Sequence, residues 1–198
     1  MPRPPHSRRA FLRLSGLGTV AGSAFFIAAC GGEDTPPPAP DPGAGGNPAD
    51  LRILNSALDL ENTAVAAYAA AAVRLVGPAQ AAAERFGEQE QEHADGLAQA
   101  IRDLGGAPNK PRSRAEYTRA LDVAALRDQD EVLEFAKNLE NDSIAAYIDA
   151  LPKLSSSDLR GTTAAILTNE AEHLSVLLGA LGEPDVPRAF VTGKARGA

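Results

Sequence analysis

Apolar residues recur at intervals of three and four along four long stretches of the chain, the spacing that places them on one face of an α-helix. Gly-Pro and Gly-Gly pairs follow the first and second stretches, where helices commonly end. A capping-box spacing, Ser113-x-x-Glu116, predicts a further short helix between the second and third. The four long helices are predicted over residues 51–76, 78–104, 128–151, and from Ser156 or Ser157 to Gly182.

The four predicted helices form two similar pairs. Residues 60–68 read LENTAVAAY and residues 139–147 read LENDSIAAY, while EQEH at 90–93 corresponds to EAEH at 170–173. Each pair predicts a helical hairpin with a short link, and a segment of roughly twenty residues would join the two hairpins. This order predicts an all-α fold, a four-helix bundle with one long crossover between helices two and three.

Acidic residues and histidines interrupt the apolar faces near the middle of each helix, and no lysine or arginine shares those faces. A buried carboxylate without compensation is costly enough that it protonates instead. Two divalent cations would neutralise four carboxylates, and two neutral imidazoles would complete the ligand sets. The pattern favours a metal pair in the core over a plain bundle with protonated glutamates. The acidic residues and histidines that interrupt the apolar faces are Glu61, Glu90, His93, Glu140, Glu170 and His173.

These motifs resemble the ferritin-like superfamily of di-iron and di-manganese carboxylate proteins, in which two helices each supply a Glu and two each supply Glu-x-x-His. The resemblance covers residues 50–182. It implies that all six side chains are metal ligands, that Glu90 and Glu170 bridge the ions, and that the cofactor is two iron ions or, alternatively, two manganese ions. Among such proteins the chain resembles exported bacterial ferritin-like domain proteins, some of which are described as stress-related.

Two relatives within that superfamily fit less well. Cys30 is the only cysteine, which excludes the cysteine-bound iron domain of rubrerythrins. Met1 is the only methionine, so the chain lacks the residues that hold haem in bacterioferritins.

Two tyrosines, Tyr68 and Tyr147, lie seven residues after Glu61 and Glu140 and share their helix faces. Each could orient a ligand through a hydrogen bond or relay an electron, which makes both candidate catalytic residues. A core tyrosine with a satisfied hydroxyl is the alternative.

Residues 1–30 have the features of an export signal. An Arg8-Arg9 pair and a stretch of small and apolar residues resemble a twin-arginine signal, and Ile27-Ala28-Ala29-Cys30 resembles a lipobox whose cysteine is lipidated. An ordinary signal peptide with an incidental cysteine is the alternative. Proline and glycine predict a disordered linker over 31–49, followed by the bundle at 50–182 and a tail at 183–198.

The charge balance argues against nucleic acid as a partner. The chain has 19 basic and 26 acidic side chains, and four of the arginines fall in residues 1–30, whereas a phosphate-binding face needs clustered Lys and Arg. The expected partners are metal ions, dioxygen or hydrogen peroxide, and the membrane through Cys30 on the periplasmic or envelope side. The sequence leaves a homodimer open.

The resemblance implies a function more loosely than a site. We expect a protein that oxidises ferrous iron or reduces peroxide or dioxygen at the cell envelope, as an oxidoreductase of the ferroxidase or peroxidase type. The alternatives are a catalase-like di-manganese enzyme and a non-catalytic metal-binding or stress-related structural protein.

Overall fold

The computed structural model describes residues 46–193, so the predicted signal, Cys30 and residues 31–45 of the predicted linker lie outside the described part. Short 3-10 turns follow the third and fourth helices, at Val123–Ala125 and Leu151–Lys153. There is no strand among the described residues, and the all-α prediction is confirmed. The helices are α1 (Pro48–Ala72), α2 (Gly77–Asp103), α3 (Arg114–Leu121), α4 (Gln129–Ala150) and α5 (Ser157–Ala180).

Four of these helices form the predicted bundle. Helix α1 packs on α2 and α4 packs on α5, and the two hairpins meet where α1 packs on α4 and α2 on α5. The connection from α2 to α4 is the long crossover, and it contains α3, whose capping box at Ser113 and Glu116 is formed as predicted.

The first helix differs from its prediction at both ends. It begins at Pro48, two residues inside the predicted linker, because proline is tolerated in a first helical turn and the Asn47 side chain accepts a hydrogen bond from the Ala49 N–H at 2.9 Å. It ends at Ala72 rather than at residue 76. Leu75 is still buried, so the apolar periodicity continues past the last helical residue.

The second helix of each hairpin ends on a glycine. Gly105 and Gly182 have φ angles of 75° and 73°, in the left-handed region that a residue with a Cβ adopts only under strain. The next N–H then closes the helix end, from Gly106 to the Ile101 carbonyl and from Glu183 to the Leu178 carbonyl, both at 2.9 Å.

The bundle core has an apolar layer at each end and a polar layer between them. One apolar layer includes Leu75, Phe86 and Leu133, and the other includes Leu58, Leu97, Ile101 and Ile166. On every one of the four helices a buried glutamate falls between the two layers: Glu61, Glu90, Glu140 and Glu170.

Two capping contacts between the hairpins are related by the sequence repeat. Asp50 at the start of α1 accepts hydrogen bonds from the backbone N–H of Ser155, at 3.0 Å, and from its hydroxyl. Gln129 at the start of α4 accepts a bond from the backbone N–H of Val76 at 3.2 Å. Both the acceptors and the donors correspond across the sequence repeat, so each hairpin caps the turn of the other.

The described part of the predicted tail packs against the second hairpin. Lys137 on α4 donates to Glu183 at 2.8 Å, and the Ser175 hydroxyl on α5 donates to the Asp185 carbonyl at 2.9 Å. None of the helices in residues 46–193 has the length and hydropathy needed to cross a membrane.

Candidate metal centre

The six side chains predicted as ligands meet in the polar layer. They form two groups of four, and within each group the potential ligand atoms lie within 4.8 Å of one another. We name these the His93 group and the His173 group. Glu90 and Glu170, the two predicted bridges, belong to both. The His93 group is completed by Glu61 and His93, and the His173 group by Glu140 and His173.

The helical spacing of Glu-x-x-His explains half of this geometry. Residues three apart lie on one helix face, and His93 Nδ1 is 3.4 Å from Glu90 Oε2 while His173 Nδ1 is 3.9 Å from Glu170 Oε2. The packing of the hairpins brings each imidazole closer still to the shared glutamate of the other hairpin. His93 Nδ1 lies 3.2 Å from Glu170 Oε1, and His173 Nδ1 lies 3.2 Å from Glu90 Oε1.

Almost none of this cluster reaches solvent. The four glutamates and His173 are at most 1% exposed, whereas the His93 side chain is 13% exposed. No lysine or arginine is buried in the described part of the chain, whereas both histidines lie within 3.5 Å of the carboxylates.

Six buried atoms of the cluster have no hydrogen-bond partner among the described residues. They are both carboxylate oxygens of Glu90 and of Glu170, and the Nδ1 atoms of His93 and His173. An unsatisfied buried polar atom costs about 1–3 kcal/mol, and a charged one costs more. These atoms are oxygen and imidazole donors that converge on one small volume, a donor set that suits iron or manganese. The residues therefore fit the metal pair that the motifs predict.

Burial sets the protonation of the carboxylates. It raises the pKa of Glu140 to about 7 and of Glu170 to about 9, and it raises the pKa of Glu61 well above its ordinary value. Glu90 differs: burial alone would raise its pKa, but the close contacts with His173 and His93 outweigh burial and lower the pKa to about 2.

The same carboxylates shift the pKa of His93. Burial alone would lower its pKa, but contacts with Glu170, Glu61 and Glu90 raise the pKa to about 12. Without a cation the cluster thus retains protons on Glu170 and His93 at neutral pH, and a metal would have to displace them.

The two tyrosines bond to glutamates, but not to the ones on their own helices. The Tyr68 hydroxyl on α1 donates to Glu140 Oε1 on α4, and the Tyr147 hydroxyl on α4 donates to Glu61 Oε1 on α1. Burial and the nearby carboxylates raise the pKa of both phenols well above its ordinary value, which keeps the hydroxyls protonated as donors. Their exchange follows from the antiparallel packing of the repeat, which spacing along one helix does not reveal.

Two further residues touch the cluster that the sequence analysis did not single out. Gln89 Oε1 lies 2.9 Å from His173 Nε2, and the Phe86 ring stacks on the His173 ring with 4.1 Å between ring centroids. Only their positions beside the Glu-x-x-His motif could have suggested them. Glu92 and Glu172 are exposed, as their two-residue offset from the motif predicts.

The fold and the cluster define a carboxylate-lined four-helix bundle, which is the ferritin-like class. The family model described as the ferritin-like domain matches residues 49–183, and the chain belongs to that family.

Solved structures support the same assignment. A ferritin-like, diiron-carboxylate protein from Bacillus anthracis is 26% identical, with 66% of this chain and 94% of that chain covered and a TM-score of 0.54. A dodecameric thioferritin from Bacteroides fragilis (23% identity, 67% and 83% covered, TM-score 0.55) and a conserved hypothetical protein from Mycobacterium tuberculosis (17%, 72% and 96%, TM-score 0.58) share the fold. No curated protein matches the chain.

Proposed function

We propose that this chain is an exported protein that holds two metal ions, iron in the first instance, and oxidises ferrous iron or reduces peroxide or dioxygen at the cell envelope. The observation that carries the proposal is the sharing of Glu90 and Glu170 by two groups of ligand atoms, with all four shared oxygens lacking a hydrogen-bond partner among the described residues. The ligands would be Glu61, Glu90, His93, Glu140, Glu170 and His173.

Charge supports two ions rather than one. Four ionised glutamates and two neutral imidazoles sum to the charge that two divalent cations neutralise, and each ion would meet three carboxylates and one imidazole. A single ion would leave two carboxylate charges uncompensated in a layer that is almost closed to solvent.

A bound pair of ferrous ions supplies two electrons, the number that reduces one hydrogen peroxide, with two protons, to two waters. The chain's own residues shield the site from water and orient its ligands. The apolar layers keep water from the ligands, and Tyr68 and Tyr147 hold Glu140 and Glu61 in place through their hydroxyls. A small oxidant would enter on the side of His93, whose side chain is the most exposed of the cluster.

The tyrosine contacts favour a positioning role in this proposal and leave electron relay as a second one. Replacing each with phenylalanine removes the hydroxyl and keeps the ring. A positioning role predicts weaker metal retention in both variants, whereas relay alone predicts normal retention with slower turnover. Metal content and turnover measured on the same preparation separate the two.

The activity is tested by adding two ferrous ions per chain to metal-free protein under argon and then adding peroxide or air. We expect ferrous iron to disappear faster than in buffer alone, and this acceleration to be absent in Glu90→Ala. The exposed Glu92→Ala is the matched control and should behave as wild type. Equal rates with wild type, Glu90→Ala and no protein would contradict the proposal.

Manganese fits the same oxygen and imidazole donors, so a catalase-like enzyme is the alternative within this class. Rapid oxygen evolution from peroxide by manganese-loaded protein would select it. A non-catalytic metal-binding or stress-related structural protein is the alternative outside the class, and the orphaned ligand atoms support it equally because metal would stabilise the fold. In that case Glu61→Ala would lower the melting temperature and no activity would be found to lose.

We also propose export by the twin-arginine route and lipid anchoring at Cys30, on the strength of residues 1–30. Replacing Arg8 and Arg9 with lysine should leave the protein in the cytoplasm. Cys30→Ser should release it from the membrane fraction, and mass spectrometry of the wild type should find a lipidated Cys30 at the N-terminus. An unmodified Cys30 in exported protein would contradict the anchor.

A further inference from the structure

The His93 group and the His173 group have the same ligand types. Each contains three glutamates and one histidine, and each has a tyrosine hydroxyl on its unshared glutamate. Ligand chemistry alone therefore predicts equal affinity for the two ions. Any difference between the ions has to come from residues behind the ligands.

The surroundings of the two imidazoles are not equal. His173 Nε2 lies 2.9 Å from Gln89 Oε1, and its ring stacks on Phe86 with 28° between the ring planes. The repeat places Asn169 and Ile166 at the positions equivalent to Gln89 and Phe86. Asn169 is one methylene shorter than Gln89, and its amide donates to Glu172 at 3.3 Å instead.

Gln89 determines which nitrogen of His173 can bind metal. An amide oxygen accepts a hydrogen bond, so the proton of the neutral ring is held on Nε2 and Nδ1 is left as a free electron pair. Nδ1 is also the atom that faces the shared carboxylates, 3.2 Å from Glu90 Oε1. Gln89 thus holds the ring in the orientation that coordination needs and, once the ring is neutral, favours the tautomer with a free Nδ1.

His93 has no such support. Among the described residues no side chain hydrogen-bonds to its Nε2, and its side chain is 13% exposed where that of His173 is 1% exposed. The carboxylates contact only Nδ1 of the His93 ring, so this ring is less firmly oriented than that of His173, and the further ordering it needs when the ion binds subtracts from affinity.

On the basis of the proposed dinuclear site, we propose that the two metal positions differ in affinity. Gln89 is the positioning residue that causes this difference. The ion at the His173 group is bound tightly and exchanges slowly. The ion at the His93 group is bound more weakly and is the one that enters last and leaves first.

The test is a calorimetric and optical titration of the full, metal-free chain with Co²⁺, whose ligand-field absorption reports the geometry of each step. Wild type should bind two ions in two resolved steps. Gln89→Leu should weaken the tighter step by about 10- to 100-fold, as loss of a hydrogen bond to a ligating histidine commonly does. Gln89→Glu keeps an acceptor oxygen at the same length and should restore the tighter step.

Asn169→Leu is the matched control because it changes the equivalent residue behind His93. It should leave both steps within about threefold of wild type, well below the effect expected at Gln89. Helical circular dichroism of each variant shows that it is folded. A variant pair that does not depend on Gln89 is His173→Gln, which should remove the tight step, and His93→Gln, which should remove the weak one.

The outcomes separate this inference from the proposed function. If wild type binds two Co²⁺ ions with equal affinity, or if Gln89→Leu behaves like Asn169→Leu, the inference is overturned and the dinuclear site stands. If folded wild type binds no Co²⁺, the dinuclear site itself fails.

Discussion

The two hairpins carry the same chemistry, and each completes the other. Tyr68 of the first hairpin holds Glu140 of the second, and Tyr147 of the second holds Glu61 of the first. The turns are capped in the same exchanged way, and each imidazole lies closer to the shared glutamate of the opposite hairpin than to that of its own. Neither hairpin alone contains a complete ligand group, so the bundle and the site form together.

The hairpins differ in the burial and the hydrogen bonding of equivalent residues. Asp50 is 2% exposed and accepts two bonds, while its counterpart Gln129 accepts one backbone bond at 3.2 Å. His173 is enclosed by Gln89 and Phe86, while His93 is partly exposed. The predicted ligands repeat but the residues behind them do not, so identical motifs have different surroundings in the two groups.

The largest effect is expected on removal of the proposed metal pair, which would join the two hairpins. A ligand that binds only the folded state stabilises it by about 4 kcal/mol at 1,000 times its dissociation constant. For a domain of this size that corresponds to a fall of roughly 8–16 °C in melting temperature on chelation. Calorimetry with and without chelator measures it. A melting temperature that does not respond to chelator would contradict the metal-joined bundle.

The metal-free protein should lose stability as pH rises from 7 to 9. In this window folded Glu170, with a pKa raised to about 9, and His93, with a pKa raised to about 12, keep protons that the unfolded chain has already released. Because the folded state binds more protons than the unfolded state in this window, the free energy of unfolding falls as pH rises. The facing groups are Glu61, Glu90, Glu140 and His173.

Metal-loaded protein should respond in the opposite direction. Ligation releases the same protons, so affinity for metal rises with pH and the loaded bundle keeps or gains stability between pH 7 and 9. Urea unfolding of both forms at several pH values gives the two slopes. Parallel slopes would show that the protons on Glu170 and His93 are not the ones that metal displaces.

The exchanged tyrosines offer a matched pair of substitutions. Tyr68→Phe and Tyr147→Phe each leave a buried carboxyl oxygen without its donor, which costs about 1–3 kcal/mol. Because both hydroxyls are buried and bond to equivalent glutamates, we expect the two losses to agree within about 0.5 kcal/mol. Denaturant unfolding checks this, and a clearly larger loss in one variant would break the symmetry.

The smallest effect should appear at the exchanged caps. Asp50→Ala removes a buried acceptor of two bonds and should cost about 2 kcal/mol. Gln129→Ala removes one longer bond at a half-buried position and should cost at most about 1 kcal/mol. Equal losses in thermal unfolding would show that the difference in burial between the two caps has no energetic consequence.

The sequence predicted the helices and the six clustered side chains because both depend on periodicity along a single helix. Glu61 and Glu140 were identified as breaks in apolar faces, and the Glu-x-x-His pairs by their one-turn spacing. The end of α1 was predicted too late because Leu75 stays buried in the turn and continues the apolar pattern. Its start was predicted too late because Pro48 reads equally well as a linker residue and as a first helical residue.

What the sequence could not supply are contacts between helices. The partner of Tyr68 is decided by how the two hairpins pack, and the spacing from Glu61 to Tyr68 contains no information about Glu140. Gln89 is polar, half-buried and next to a ligand, and only the position of the His173 ring on another helix distinguishes it from a surface glutamine.

The most direct test of the dinuclear site is the metal content of the protein purified from the cells that naturally produce it. Elemental analysis should find about two iron or manganese ions per chain in wild type and in the exposed control Glu92→Ala, and almost none in Glu90→Ala, which loses a carboxylate that both groups share. A well-folded wild-type protein with almost no iron or manganese would contradict the account.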